Sequence, residues 1–122
     1  MKKIDIKHIG VPNVCFSLMA EGDERQLEAT QERIERGFDD SETWSLTDTI
    51  ANFIIPRLKR YQEIAGNILD REDEEVEKID KFLRAMELTS RDEGVRTYSK
   101  EEEEELKEGL KLFPEIFLGL WW

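Results

Sequence analysis

Gly37-Phe38-Asp39-Asp40-Ser41-Glu42-Thr43-Trp44-Ser45-Leu46, continuing through Ile50, Phe53, Ile54, Pro56, Leu58 and Tyr61, is the stretch on which the fold turns. An acidic polar turn, Asp39-Asp40-Ser41, leads to Ser45-Leu46-Thr47-Asp48, a capping-box variant with Asp in place of Glu or Gln. The Ser hydroxyl can accept from the free amides of a first helical turn, and the Asp carboxylate faces the positive end of the helix dipole. A helix is therefore expected to start near Leu46. Leu46, Ile50, Phe53, Ile54, Leu58, Tyr61 and Ala65 then recur at steps of three and four, the spacing of one face turned to a core, and Gly66-Asn67 supplies a stop. Ala51 and Ile55 widen the apolar arc, as in a helix touched by more than one neighbour. Trp44 is expected to be buried, fixing the turn that leads into the helix. Pro56 lacks an amide and its ring crowds the preceding turn, at a cost of about 3 kcal/mol in a helix interior. A kink, or two helices end to end, is the expected result. The bend either curves the helix around the core or sets out Arg57, Lys59 and Arg60 as a basic patch.

Upstream, Gly22-Asp23 opens a helix that runs to about Arg36, with Leu27 and Ile34 one heptad apart and Gly37 as its stop. So sparse a stripe predicts a peripheral helix. Residues 1–20 read differently. Ile4 and Ile6 alternate with Asp5 and Lys7, Gly10-Val11-Pro12-Asn13 forms a turn, and Val14, Phe16 and Leu18 alternate again, which predicts a β-hairpin or an extended arm. Downstream, Asn67 to Asp70 is a connection. A third helix follows, with an acidic first turn and Val76, Ile79, Phe82, Leu83 and Met86 on one face. Thr89 to Tyr98 reads as a loop. Ser99-Lys100-Glu101-Glu102 is a capping box, and Leu106, Leu110, Phe113, Phe117 and Leu120 repeat as a heptad-like seam, weakened at Gly109 and Pro114. Trp121 and Trp122 are too large to leave in water: they close the bottom of this core or cross into a second subunit.

These elements describe a mainly α protein, a small bundle of about four helices with an N-terminal hairpin or arm. Its 122 residues are expected to form a single domain, residues 1–20 the arm and residues 21–122 the bundle. The formal net charge is −11, which argues against direct binding of nucleic acid, since a phosphate backbone is held chiefly by Lys and Arg. Residues 67–122 hold 17 acids against 9 bases, a net −8, so the acidity belongs mainly to the last two helices. Cys15 is the lone cysteine and has no disulfide partner within the chain. Met1-Lys2-Lys3 leads into no apolar signal core, and no apolar run approaches a membrane span. A cytoplasmic location with no membrane association is expected.

No residue pattern names a reaction. There is no His-x-x-x-His, no cysteine pair, no phosphate-cradling glycine loop and no nucleophile elbow, and His8, the single histidine, reads as a surface residue. No enzyme activity or cofactor is expected, since 29 acids give no basis for choosing a catalytic pair of carboxylates, and no metal, because Asp70 to Glu77 lacks the alternation and turn glycine of a calcium loop and the five Glu from Glu101 to Glu105 point in different directions. Asp39-Asp40 reads as turn and cap. What remains is a surface. Carboxylates spaced along helices either keep the protein dispersed or imitate the charge of a nucleic-acid backbone toward a basic protein. The candidate partner-binding residues are Glu72, Asp73, Glu74, Glu75, Glu101, Glu102, Glu104 and Glu105. The candidates for self-association into a homo-oligomer are Leu106, Leu110, Phe113, Phe117, Trp121 and Trp122.

The segment from Gly37 to Leu46, with Ile50-Ala51 and Ile54-Ile55-Pro56-Arg57-Leu58-Lys59-Arg60, resembles a pattern shared by small uncharacterised proteins of bacteriophages and prophages. There a Gly-aromatic-Asp-Asp turn leads to Trp-Ser-Leu and a helix ending Pro-Arg-Leu-Lys-Arg, and a later helix carries an aromatic and acidic tail, here Leu106 to Trp122. The residue after Trp-Ser-Leu is usually Asp; here it is Thr47, with Asp48 next. The resemblance implies origin more than activity: an accessory protein working in the host bacterial cytoplasm. The protein is then expected to bind a host or phage protein, such as a nucleic-acid enzyme or a host defence system, or to serve assembly by self-association. No site residue carries over from it.

Overall fold

The computed structural model describes residues 16–90 and 97–122. Its architecture is mainly α: α1 (Gln26–Arg36), α2 (Leu46–Ile68), α3 (Asp73–Thr89) and α4 (Lys100–Ile116), with 3-10 turns at Asp40–Thr43 and Phe117–Gly119. The expected hairpin or arm rests mostly on residues 1–15, which lie outside the described residues. By compactness the chain divides into Met1–Thr49 and Ile50–Trp122, with the boundary inside α2.

In the first unit α1 ends where the sequence places its stop. Gly37 adopts φ 88, and its amide donates to the Arg33 carbonyl at 2.8 Å. The buried side of α1 is not the Leu27/Ile34 edge, however. Leu27 is 83% exposed and Ile34 56%, while Ala29 and Arg33 are buried. The reason is an ion pair. Arg33 binds the fully buried Asp39, and a paired guanidinium turns its own side of the helix inward. Asp39 also caps the 3-10 turn: its side chain accepts from the Ser41 amide at 2.8 Å, and its own amide donates to Glu42 Oε2 at 2.8 Å. Trp44 is half exposed, contrary to its expected burial, with the Arg25 guanidinium 5.0 Å from its ring. Buried polar groups rather than the indole hold this turn.

Ser45 caps α2 as expected, its hydroxyl 3.4 Å from the Asp48 amide. The helix then runs unbroken past Pro56, so neither two helices nor a break results. Arg57 Nη1 donates to the Phe53 carbonyl at 2.9 Å and its guanidinium stacks 4.1 Å from the Phe53 ring, while Arg60 pairs with Glu63 at 2.8 Å. Two of the three cations of the expected basic patch are thus engaged locally. The later part of the expected stripe faces the core: Leu58 and Ala65 are buried with Ile54 and Tyr61 beside them, joined by Ala51 and Ile55 of the wider arc, whereas Leu46, Ile50 and Phe53 at its start are exposed. On so broad an apolar arc the period alone does not say how far along the helix the inward edge extends, and near its start the small Ala51 faces inward in place of Ile50.

The core of the second unit joins Ala51 and Leu58 of α2, Ile79, Phe82, Leu83 and Met86 of α3, and Ile116 of α4. Four of the five predicted α3 positions are buried; Val76 is 42% exposed. Helices α3 and α4 pack antiparallel, as the cross-pairs Lys78–Glu115, Lys81–Glu108 and Arg84–Glu105 show by running in opposite sequence directions. Their closest approach is at Gly109. A Cβ there would lie 2.5 Å from Ala85 Cβ and 2.5 Å from the Lys81 carbonyl oxygen. Gly109 is therefore the contact point of the seam, not a weakness in it. The inward positions of α4 are Leu106, Gly109, Phe113 and Ile116, so the expected Leu110 and Phe117 lie one residue off the seam and are 47% and 57% exposed. The Ser99–Glu102 capping box forms at both of its hydrogen bonds.

Gly109→Ala is expected to lower the melting temperature although Ala is the better helix former by about 1 kcal/mol. Overpacking of this kind costs about 1–3 kcal/mol, and the backbone carbonyl of Lys81 cannot rotate away. A thermal melt showing stabilisation contradicts the close approach.

Candidate functional site

Two clusters of polar side chains stand out, one in each unit. In the first, the Asp39 carboxylate receives the Arg33 guanidinium, the Ser17 hydroxyl at 2.6 Å, the Ser41 hydroxyl and the Ser41 amide. Arg33 Nη2 also donates to Thr30 Oγ1 at 3.1 Å, while its Nε, also buried, meets no acceptor. Burial pushes the Asp39 carboxyl up, but the hydrogen bonds from Ser17, Ser41 and Arg33 outweigh it and hold the group below the usual carboxylate range. Glu42 behaves oppositely. Burial pushes it above its ordinary value, and its hydrogen bond from the Asp39 amide only partly offsets this. Every acceptor site of Asp39 is thus occupied by neighbours within the unit, which makes the cluster a brace for the turn rather than a reacting group. The sequence reading saw a capping turn here and missed the ion pair. The available signal was the spacing Asp39-Asp40-Ser41-Glu42, itself a capping box opened by Asp.

The second cluster holds the end of the chain. Tyr61 Oη lies 3.2 Å from the Gly119 carbonyl oxygen and 3.1 Å from that of Trp121. Arg71 Nη2, with two N–H groups, stands within reach of three acceptors: the same two carbonyls at 2.5 and 3.2 Å and the Tyr61 hydroxyl. Arg71 Nη1 faces Glu75 at 3.6 Å, while its buried Nε meets no acceptor. The fixed charge of the guanidinium and its shared N–H groups hold the two carbonyls and the hydroxyl together. The grip is on backbone, so the rings are left outside: Trp121 is 65% exposed and Trp122 61%, with Leu118 at 85%. Closure of the core by these tryptophans, one of the two arrangements expected, does not occur within the described residues. The sequence held no sign of the grip, because Tyr61, Arg71 and Gly119 are remote from one another along the chain.

The eight candidate acids divide between the two ends of the α3–α4 pair. Glu72, Asp73, Glu74 and Glu75 sit at the start of α3, where α4 ends; Glu101, Glu102, Glu104 and Glu105 sit at the start of α4, where α3 ends. With Glu105 beside Arg84, the groups lie from about 14 Å (Glu75 to Glu105) to about 25 Å (Glu72 to Glu101) apart along the axis at 1.5 Å per residue. Several are already engaged. Glu74 faces Lys78 at 3.9 Å, Glu75 faces Arg71, Glu105 binds Arg84 Nε at 2.9 Å, and Glu102 completes the Ser99 capping box. Glu72, Asp73, Glu101 and Glu104 are exposed and join no ion pair among the described residues. Of the self-association candidates, Leu106 and Phe113 turn partly inward, Phe113 stacking 4.9 Å from Phe82, whereas Leu110, Phe117, Trp121 and Trp122 face out.

Among the described residues no group of three or more His, Cys, Asp or Glu is placed to hold a metal ion, and no helix is long and apolar enough to cross a membrane. No family model matches the chain, and neither the curated proteins nor the solved structures contain a match to it.

Two measurements test these clusters. Asp39 gains its ionised form on folding, so its stabilisation is present above its unfolded pKa of about 3.9 and is lost as the pH falls through the lower folded value. Glu42 is favoured protonated, so its contribution is present below about 4.3 and is lost as the pH rises through its raised folded value. At neutral pH, Asp39→Asn, which leaves Arg33 buried without its counter-charge, is expected to cost about 3–5 kcal/mol. Glu42→Gln, which keeps an acceptor for the Asp39 amide, is expected to leave the melting temperature unchanged or higher; equal losses in both variants contradict the assignment. For the tail, Tyr61→Phe removes only the hydroxyl and is expected to cost about 0.5–1.5 kcal/mol while speeding amide exchange over residues 117–122. Unchanged exchange there argues against the grip.

Proposed function

We propose that this chain is an acidic accessory protein of phage or prophage origin, acting in the bacterial cytoplasm by binding a host or phage protein and carrying out no chemistry itself. A nucleic-acid-binding enzyme or a host defence system, each with a basic surface to occupy, is the kind of target that fits. The observation that carries this reading is the pair of unneutralised acidic ends on α3 and α4. Glu72 and Asp73 at one end and Glu101 and Glu104 at the other stand about 20 Å apart along the helix axis, since Glu105 lies beside Arg84. The helix pair that separates them is locked by the Gly109–Ala85 approach, so the spacing is held without an ordering cost on binding. Charges fixed in this way speed encounter with a basic partner and select against acidic ones.

A second reading rests on a separate observation, the exposure of Leu110, Phe117, Trp121 and Trp122. Through these residues the chain would serve as an assembly component that self-associates. Contiguous exposed apolar surface is uncommon on a protein that works alone.

Capture from host lysate distinguishes the two. The first reading expects a retained protein that is released by salt and lost when Glu72, Asp73, Glu101 and Glu104 are replaced together by Lys; recovery of nothing salt-sensitive removes it. The second expects a concentration-dependent dimer or larger species by light scattering, reverting to monomer in the Trp121→Ala/Trp122→Ala variant.

A further inference from the structure

The Arg71 grip brings together two features that are distant in sequence, the apolar tail and the acidic start of α3. Arg71 immediately precedes Glu72, reaches Glu75 at 3.6 Å, and holds the carbonyls of Gly119 and Trp121. The 3-10 turn Phe117–Gly119 and the two residues that end the chain therefore sit at the same end of the unit as Glu72, Asp73, Glu74 and Glu75. The backbone of the tail is pinned, while Phe117, Leu118, Trp121 and Trp122 are each more than half exposed. Exposed apolar side chains on a held backbone thus stand at the acidic end of the unit. Two cations at this end are already engaged, Arg71 by the carbonyls and Glu75, and Lys78 between Glu74 and Glu115. Among the described residues the far end of α3 and α4 has acids and one aromatic ring, Tyr98, whose hydroxyl donates to the Leu88 carbonyl at 2.9 Å, but no such pair of exposed indoles.

We infer that this end is a docking site for a basic amphipathic segment of a partner protein, a helix with Leu-like residues on one face and Lys or Arg on the other. The inference rests on the interaction reading above and assigns it a place and a partner chemistry. The apolar face of such a helix would lie on Leu118 and the two indoles, and its cations would meet Glu72, Asp73 and Glu74. Charge selects this occupant over a second copy. Two copies meeting through this surface would bring their acidic rims together, and like charges in an interface are costly. The pinned backbone favours tight binding, because the aromatic anchors need not be ordered first.

The test is calorimetry of the full chain with two synthetic helical peptides that share one Leu face, one bearing Lys and the other Glu on the opposite face. The Lys peptide is expected to bind. Trp121→Ala/Trp122→Ala and, separately, Glu72→Lys/Asp73→Lys are each expected to weaken it at least about tenfold. Glu101→Lys/Glu104→Lys, at the far end, is expected to leave it within about twofold, screening being strong over that distance at physiological salt. Circular dichroism checks that each variant is folded, and all these positions are on the surface. Equal binding of the two peptides, no binding of either, or equal losses from the two charge variants overturns the proposal. So does a dimer by light scattering that the tryptophan variant abolishes, or binding to phosphatidylcholine vesicles in place of the Lys peptide. Lysate capture separates this failure from that of the broader reading. Capture lost on reversal of all four acids but intact without the tryptophans rejects the tail site alone, whereas peptide binding without any salt-sensitive capture rejects the broader reading alone.

Discussion

The close approach of α3 and α4 at Gly109 is the constraint from which the rest of the second unit follows. With no side chain at 109, the two helices meet backbone to Ala85, and this sets which residues of α4 turn inward. Phe113 and Ile116 then reach Phe82 and the core around Ile79 and Met86. The same rotation carries Leu110 and Phe117 out of the seam. An exposed apolar edge is thus a consequence of tight packing elsewhere on the same helix, since a helix turned to place a glycine at the contact cannot also bury the residues one step beyond it.

The ion pairs of the two units do different work. Those between α3 and α4 are on the surface, where each contributes little to stability, and their effect is to neutralise the middle of the helix pair. Net negative charge is left at the two ends. The Arg33–Asp39 pair is buried, so its partners are strongly interdependent: neither can be tolerated alone in a dry site. It determines the inward side of α1 and, with the hydroxyls of Ser17 and Ser41, braces the turn before α2. Trp44, the most distinctive residue of that turn, is left half exposed.

At the chain's end the decisive point is that Tyr61 and Arg71 bind carbonyls. A tail held by its side chains would have spent its indoles in the core. Held by its backbone, it leaves them exposed at the same end of the unit as Glu72, Asp73 and Glu74.

The sequence by itself determined the helical class, the stop at Gly37, the caps at Ser45 and Ser99 and most of the inward face of α3. These depend on neighbours within a few residues, and local chemistry suffices for them. It marked the acids as the chemistry of the surface, but as one group. Only the tertiary structure decided which edge of α2 and α4 faces inward, because Ala51 and Gly109 matter for how near another helix can come, which no periodicity records. Only the antiparallel pairing of α3 and α4 separated the acids into two ends, and only the meeting of Tyr61, Arg71 and Gly119, residues far apart in the chain, left Trp121 and Trp122 outside.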